Sequence, residues 1–540
     1  MSATAPRPVL AALAVALLLL GLLAGCDERP ADEPAPLLDP DGEPEAGPSP
    51  SVLRWAIAEP DGITPSTATN VEGLTVVNLL FTGLTRLDAD LDVARGIADR
   101  WRVNDEGTLW TFVLRPAARF HDGSRVSAEA VVESWERTIR EGRAAPHLAD
   151  VVGYDDLVEG RSERLAGLTT WGDSTVQIRL VRPRSDLPLV LAHPSLAVQG
   201  PARSDGGQPV GSGPYALREE WVPGQFIRLG RVAVSGPGPQ EVLFRLTDPT
   251  SGYIAFQQGR VDIATVPPGA LAEAVARYGQ GGRGQPGVHT DPSGAVYLLG
   301  MALGQPPFDE VEVRRALSFA VDRRALAESM PDGNAQPARG VTPSTVPGGA
   351  ASACSTCLHA PTAAQRLFAN HEIDRLELWV DDSGVDDTLA SRLRRDLAAV
   401  GVTLDVVRVP TAELLDAIDA GTAPLYRFGW RVEHPTAVDL LVPLLHSSSS
   451  GVAAGNPGGF AQDEVDAFLD TALADPDSEA QTLALRAAEI TGVGREQAVI
   501  PLLIPRNRLV VADRVEGFDL EPTGRADLTR VELDRGDEGG

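Results

Sequence analysis

The sequence predicts an α/β protein folded in at least two lobes. Three observations carry that reading. Residues 376–380, 389–400 and 402–409 read as strand, helix and strand, with Gly401 stopping the helix; such a βαβ unit implies local parallel pairing with a right-handed crossover. Short strands of alternating polarity fill the first half, whereas helices dominate the second. Gly- and Pro-rich stretches at Gly200–Pro214 and Gly279–Pro292 look like crossings between lobes. The 540 residues suggest two to four domains, and 43% apolar content is enough for large cores.

The N-terminus predicts an exported chain. Arg7 precedes an apolar run from Val9 to Leu23, followed by Ala24, Gly25 and Cys26, the order of a secretory signal. The run is short of the roughly 20 apolar residues of a membrane span. Residues 27–50 hold eight acidic residues and seven prolines, a composition that stays extended and solvated, so they read as a tether. The whole chain carries a net charge of −28, mostly outside this tether. An acidic chain is a poor partner for nucleic acid, whose binding is driven by counterion release from phosphates. Every basic residue is Arg, which excludes Schiff-base and P-loop lysine chemistry.

The globular body starts at Val52. Leu53–Ile57 reads as a strand and Asn70–Leu80 as a short helix. Asn104–Gly107 is turn chemistry before a strand over Thr108–Arg115, whose apolar residues on both faces predict that it is covered on both sides. Ser127 is a candidate cap for a helix burying Val131, Val132, Trp135 and Ile139 and ending at Gly142. Val176, Ile178 and Leu180 alternate as a strand. A helix starts at Asp309 and carries Val313, Ala316, Leu317, Ala320 and Val321. After the βαβ unit come a short helix over Glu413–Ala420, a strand over Tyr426–Glu433, and helices starting at Asp463 and Ser478, the first burying Val465, Phe468 and Leu469. No internal repeat is evident.

Catalytic signatures are sparse. There is no G-x-S-x-G elbow, no H-E-x-x-H and no Walker loop. Gly282–Gly287 matches G-x-G-x-x-G by chance, since Pro286 stands where a helix should begin. The eight histidines are scattered without ligand spacing, so no metal site is expected. Asp386-Asp387 suits a helix N-terminus. Paired carboxylates alone do not exclude a glycosidase, because its two acids need not be close in sequence. Cys354 and Cys357 form C-x-x-C without a second cysteine pair; in an oxidising compartment they are expected to form a small structural disulfide pinning a loop.

Several segments, in order, resemble the extracytoplasmic solute-binding proteins of ABC importers, in the peptide/nickel-binding family 5. They are VVNLLFTGLTRLDADLDVARGIADRWRVNDEGTLWTFVLRPAARFHDGSRVSAEAVVESWER (76–137), GSGPYAL (211–217), QPPFDEVEVRRALSFAVDRRAL (305–326), LASRLRRDLAAVGVTLDV (389–406), FGWRVEHPTAVDLL (428–441), FAQDEVDAFLDTAL (460–473) and IPLLIPRNRLVVADRVEGF (500–518). The resemblance spans roughly residues 52–520. The Leu23-Ala24-Gly25-Cys26 ending resembles a lipobox, which implies a diacylated Cys26 as first mature residue, a firm double anchor on the outer face of the cytoplasmic membrane.

The resemblance implies an α/β, two-lobed periplasmic-binding-protein-like fold (type II, large cluster) with an extra subdomain inserted in lobe one. Residues 1–25 would be signal, 26–50 tether, 51–83, 208–287 and 507–540 lobe one, 84–207 the inserted subdomain, and 288–506 lobe two. It implies a monomer without cofactor that makes and breaks no bond: a solute bridging the lobes stabilises the closed form, which docks on the permease. By analogy with peptide-binding members, the strand through Gly429, Trp430 and Arg431 pairs with the ligand backbone. Glu433 stands where an aspartate holds the peptide amino terminus, Trp430 lines a side-chain pocket or the core, Arg431 meets a ligand carboxylate, and Thr69 is a contact from lobe one. Departures are Glu433 for Asp, Ala302 for the usual Asn before the P-P-F-D unit, and Ala130 for Asp in the T-A-E-D-V helix start. A non-peptide solute (a nickel complex, an oligosaccharide) is the alternative, followed by an extracellular hydrolase or a sensor lipoprotein.

Overall fold

The computed structural model describes residues 51–141, 145–201, 210–232, 238–350, 352–382, 384–449, 451, 455–475 and 478–534. The signal, the tether, Cys26 and Gly142 lie outside the described residues, as do residues 202–209 of the first crossing. Among the described residues no helix is long and apolar enough to cross a membrane.

Three main sheets organise the chain in two lobes. The first has seven strands in the order Gly287–His289, Leu509–Val511, Ile263–Thr265, Val52–Ile57, Glu241–Leu246, Phe226–Arg231, Tyr215–Leu217. Its central strand Val52–Ile57 runs parallel to Glu241–Leu246, in register from Val52 opposite Glu241 to Ile57 opposite Leu246. Strands that lie far apart in sequence are held by one core of Leu53, Trp55, Val76, Tyr215, Phe244 and Phe518. The helix Val71–Leu80 supplies part of that core; Asn70, expected as its first residue, instead caps it, its side chain accepting from Gly73 N.

The second sheet has six strands in the order Ala335–Pro337, Ile500–Pro505, Ala295–Met301, Leu425–Arg431, Arg375–Asp381, Thr403–Val409. It is apolar on both faces. Successive residues of a strand point to opposite faces: Leu299 joins a core with Leu317, Leu378 and Leu393, while Leu298 joins one with Leu441, Leu469 and Leu485. The expected βαβ unit is present. Arg375–Asp381 and Thr403–Val409 pair in parallel across the helix Gly384–Ala399, and Gly401 ends it at φ +86°. Only glycine adopts that backbone without steric cost. Cys354 and Cys357 are joined by a disulfide, with Cα atoms 5.3 Å apart, in the loop before the helix Pro361–Asn370.

The third sheet has four antiparallel strands, Ala98–Val103, Leu109–Leu114, Thr175–Arg179 and Leu168–Trp171. The helix Ala128–Arg140, capped by Ser127, covers one face with Val131 and Trp135 against Phe112 and Ile178.

Four details differ from the sequence expectation. The strand Leu109–Leu114 is buried only at Trp110, Phe112 and Leu114; its other face is half-covered because the helix packs on one side. The helix expected from Asp309 to Val321 runs Val311–Ala320. Val321 is extended because Asp322 turns the chain to cap the next helix, accepting from Ala325 N. Phe468 is half-buried rather than buried. The crossing expected over Gly279–Pro292 is shorter, since Gly287–His289 is an edge strand of the seven-stranded sheet.

Candidate functional site

The strand Leu425–Arg431 pairs along its whole length with Ala295–Met301, from Leu425 opposite Met301 to Arg431 opposite Ala295. On its other edge the neighbour Arg375–Asp381 reaches only Leu425 and Tyr426. Among the described residues no strand lies against the outer edge of Phe428–Arg431. Gly429 adds to the opening: a Cβ there would meet no protein atom closer than 3.5 Å. Sheet edges of this kind accept an extended backbone as an extra strand.

The strand was expected to continue to Glu433, but it ends at Arg431. Val432 N still donates to Gly294 O. The next two amides turn away: Glu433 N and His434 N donate to Asp439 Oδ2 at 2.6 and 3.3 Å. One carboxylate thus captures two N–H groups that would otherwise extend the ladder. Asp439 Oδ1 also takes His434 Nδ1 at 2.8 Å. Burial works to raise the Asp439 pKa, but the His434 ring and the two backbone donors outweigh it and hold the group below the usual carboxylate range.

Glu433 therefore sits just past the end of the open edge, where two other segments converge on it. From the C-terminal segment, buried Arg525 donates Nη2 to Glu433 O at 2.9 Å. From the four-stranded-sheet segment, His147 Nε2 lies 3.2 Å from Glu433 Oε2. The Glu433 side chain keeps 57% of its accessible surface. Even so, the protein mass around it raises its pKa; Asp439 adds to the shift and His434 and Arg525 oppose it.

Three histidine rings meet here. His147 and His193 are 4.2 Å apart by ring centroid, His147 and His434 5.1 Å, His193 and His434 5.2 Å. Burial, with further opposition from His434, pushes the His147 pKa down to about 3. Burial and the neighbouring His147 also push His193 well below its ordinary value.

The other expected residues take different places. Trp430 donates Nε1 to Asp439 O at 3.0 Å, and its ring seats on Gly455, where a Cβ would come within 2.9 Å of it at a φ of +104°. It packs against the core of lobe two. Arg431 projects toward lobe one, close to Gly524 and in the field of Glu72. Thr69 lies at the start of the nearby helix Val71–Leu80, with its backbone N and its hydroxyl donating to the Asp61 carboxylate. The structure thus gathers Glu433, Trp430 and Gly429 on one strand end and sets Arg431 facing the lobe-one wall that holds Thr69. His147, His193, Asp439 and Arg525 were not anticipated. Asp439 and His434 stand in the segment 428–441 singled out by resemblance, but no local spacing links positions 147, 193 and 433.

A family model described as "Bacterial extracellular solute-binding proteins, family 5 Middle" matches residues 92–451. The periplasmic oligopeptide-binding protein OppA of Escherichia coli K12 is 25% identical over 484 residues, 83% of this chain and 86% of that protein. The glutathione-binding protein GsiB of Salmonella typhimurium is 25% identical, over 85% of this chain and 90% of its own length. Among solved structures, the Escherichia coli murein tripeptide binding protein MppA superposes with a TM-score of 0.71 at 20% identity, covering 90% of this chain and 99% of that one. Haemophilus influenzae OppA, in complex with the peptide RPPGFSPFR, gives 0.69 at 18% identity, covering 90% and 100%. The two sheets that each gather strands from far-apart segments and the family match over residues 92–451 lead to one conclusion: the chain belongs to the bacterial extracellular solute-binding proteins of family 5.

Proposed function

We propose that this chain is the substrate-binding lipoprotein of an ABC importer, and that it captures peptides between its lobes and delivers them to the membrane permease. The observation that carries the reading is the unpaired edge of Phe428–Arg431 ending at the carboxylate of Glu433. A peptide added as a strand along that edge uses main-chain hydrogen bonds for affinity, and its ammonium is left beside Glu433, a charge-assisted contact. Trp430 holds the strand from behind, Gly429 leaves room for the ligand backbone, and Arg431 meets a ligand carboxylate near the lobe-one wall carrying Thr69. Relatives in this family include oligopeptide- and glutathione-binding proteins, which favours peptides over nickel complexes or oligosaccharides.

The lobe boundaries expected from the sequence remain our division. Each main sheet draws its strands from within one set of segments, with Gly287–His289 at the 287/288 boundary. Capture proceeds by hinge closure. The lobes are joined by residues 290–294 and 506–508, which run side by side: Asn507 N donates to Asp291 O at 2.9 Å and Pro292 bridges to Arg506. Two adjacent strands of chain form a narrow hinge of the kind that absorbs domain closure. Cys26 anchors the monomer to the outer face of the membrane, and no catalytic step is involved.

A mixed-peptide thermal-shift screen tests the reading, because a ligand that binds only the folded state raises the melting temperature by mass action. At least one peptide should stabilise the protein. For that peptide Glu433→Ala should cost about 1.5–3 kcal/mol, the worth of a hydrogen bond to a charged group, or about 10- to 100-fold in affinity. Stabilisation by another solute class alone, or unchanged affinity in the variant, would sink the peptide reading or the carboxylate assignment respectively.

A further inference from the structure

His147 and His193 belong to the segment 84–207, whereas Glu433 belongs to lobe two. Yet each of the three offers one ligand atom, and these atoms all lie within 4.8 Å of one another. We propose that His147, His193 and Glu433 form a binding site for a divalent first-row transition metal of the zinc class, which ties the 84–207 segment to lobe two.

Four features of the site support this. The first is an unpartnered ring nitrogen. His193 is 3% exposed, and its Nδ1 is engaged by Ser195, 2.7 Å from Oγ and 3.2 Å from the backbone N. Its Nε2 is buried without a hydrogen-bond partner. A buried, unpaired polar atom carries an energetic cost that calls for an explanation, and a metal ion supplies one.

The second feature is the support behind the ligands. A metal-binding imidazole usually has its other nitrogen held by a hydrogen bond, which sets ring orientation and tautomer. At His193, Nδ1 accepts from Ser195 N; when Nε2 takes a metal the ring proton moves to Nδ1 and is donated to Ser195 Oγ, 2.7 Å away, in place of that backbone bond. Third, the donor set is right. Two imidazoles and a carboxylate suit zinc and its neighbours, and three protein ligands leave a fourth tetrahedral position for water. With zinc–ligand bonds of about 2.0–2.2 Å, ligand atoms in a tetrahedron lie about 3.4 Å apart. The 3.2 Å between His147 Nε2 and Glu433 Oε2 is already close to this, and since all three ligand atoms lie within 4.8 Å of one another, binding draws any pair together by no more than about 1.4 Å.

The fourth feature is charge. Glu433, Asp439 and Glu521 surround the seam, and Arg525 is the cation set among them, 3.7 Å from Glu521. Arg184, which also faces His147, is neutralised by Asp150 and Asp186. Arg525 still opposes a cation at both imidazoles and Asp439 favours one at His147; the Glu433 carboxylate, itself a ligand, supplies the compensating charge. The seam is also a genuine contact between segments, since Ser185 N donates to Leu473 O at 2.7 Å and His434 Nε2 approaches Val190 O at 3.4 Å. A metal here locks an interface that already exists.

The test uses the full chain, stripped with a chelator and titrated with zinc alone, then with cobalt as a spectroscopic probe. The proposal expects one saturable zinc per chain, a rise in melting temperature, and visible cobalt bands of a four- or five-coordinate site. Zinc affinity should fall at least about 10-fold in His193→Ala and in His147→Ala, and about 10- to 100-fold in Ser195→Ala, which removes only the support. His359→Ala, a histidine elsewhere on lobe two beside Asp322, should leave zinc binding intact. Circular dichroism checks that each variant is folded, and Ser195→Ala serves if a histidine variant is not. No saturable one-to-one binding, or binding unchanged in Ser195→Ala and in the folded histidine variants, overturns the proposal. Metal and peptide readings share Glu433 but not the histidines. Peptide stabilisation surviving in His193→Ala while zinc binding is lost supports the metal site. Peptide stabilisation without any zinc binding overturns the metal site alone.

Discussion

At the scale of single residues, the most consequential charge outside the site is Asp262. It is 1% exposed and receives Arg54 N at 2.8 Å, Arg54 Nη2 at 2.8 Å and Arg514 Nη2 at 2.8 Å. It thereby fastens the first strand of lobe one, the strand Ile263–Thr265 and the C-terminal segment to one carboxylate. Burial alone raises the pKa of such a group, but the hydrogen bonds and charges of Arg514 and Arg54 bring it below the ordinary value of 3.8. Removing one partner of a buried ion pair costs about 3–5 kcal/mol, because the other charge is left uncompensated. Asp262→Asn should lower the urea midpoint accordingly. The wild-type contribution is present above the unfolded pKa and is lost as the pH falls through the lower folded value. The gap in midpoint between wild type and Asp262→Asn should therefore be full at neutral pH and shrink under strong acid. A gap that does not depend on pH would refute the ionised assignment. The pairing was illegible in the sequence, because Arg54, Asp262 and Arg514 are each separated by about 200 residues or more and no local pattern links them.

At the scale of elements, polar caps and apolar spacing made half of the described α-helices legible. Ser127 accepts from Ala130 N at 3.1 Å, Asn70 caps Val71–Leu80, and Gly401 ends the long helix of lobe two. Ser127→Ala should cost about 1 kcal/mol, the usual worth of an N-cap, and lower the melting temperature. No loss would mean that packing of Trp135 against the sheet, not the cap, holds the helix end. Where the sequence misled, a long-range partner decided. The strand through Gly429 was expected to reach Glu433, and its apolar run supports that. Asp439 ends it by taking two backbone amides, and only the folded loop brings that carboxylate back to them. The same event lifts Glu433 off the sheet and leaves its side chain beside His147. The Cys354–Cys357 pair could be read from spacing because both partners are local.

At the scale of the whole molecule, the family and the two-lobed class were legible from the order of segments, since that order reflects which strands share a sheet. The histidine cluster was not, because only the docking of the 84–207 segment on lobe two brings positions 147, 193 and 433 together. The anchor proposal makes its own prediction: metabolic labelling with a radioactive fatty acid should mark the wild-type protein and not Cys26→Ser, and label retained in the variant would contradict the lipid anchor. Under the proposed function, capture between the lobes depends on a free peptide amino terminus meeting Glu433 at the end of the open strand edge. The most direct measurement is calorimetric titration with one stabilising peptide in two forms, with a free or an acetylated amino terminus. Acetylation removes the ammonium and leaves the rest of the backbone to pair. The acetylated form should bind about 10- to 100-fold more weakly, the worth of one charge-assisted hydrogen bond; equal affinity for the two forms would rule out the ammonium–Glu433 contact.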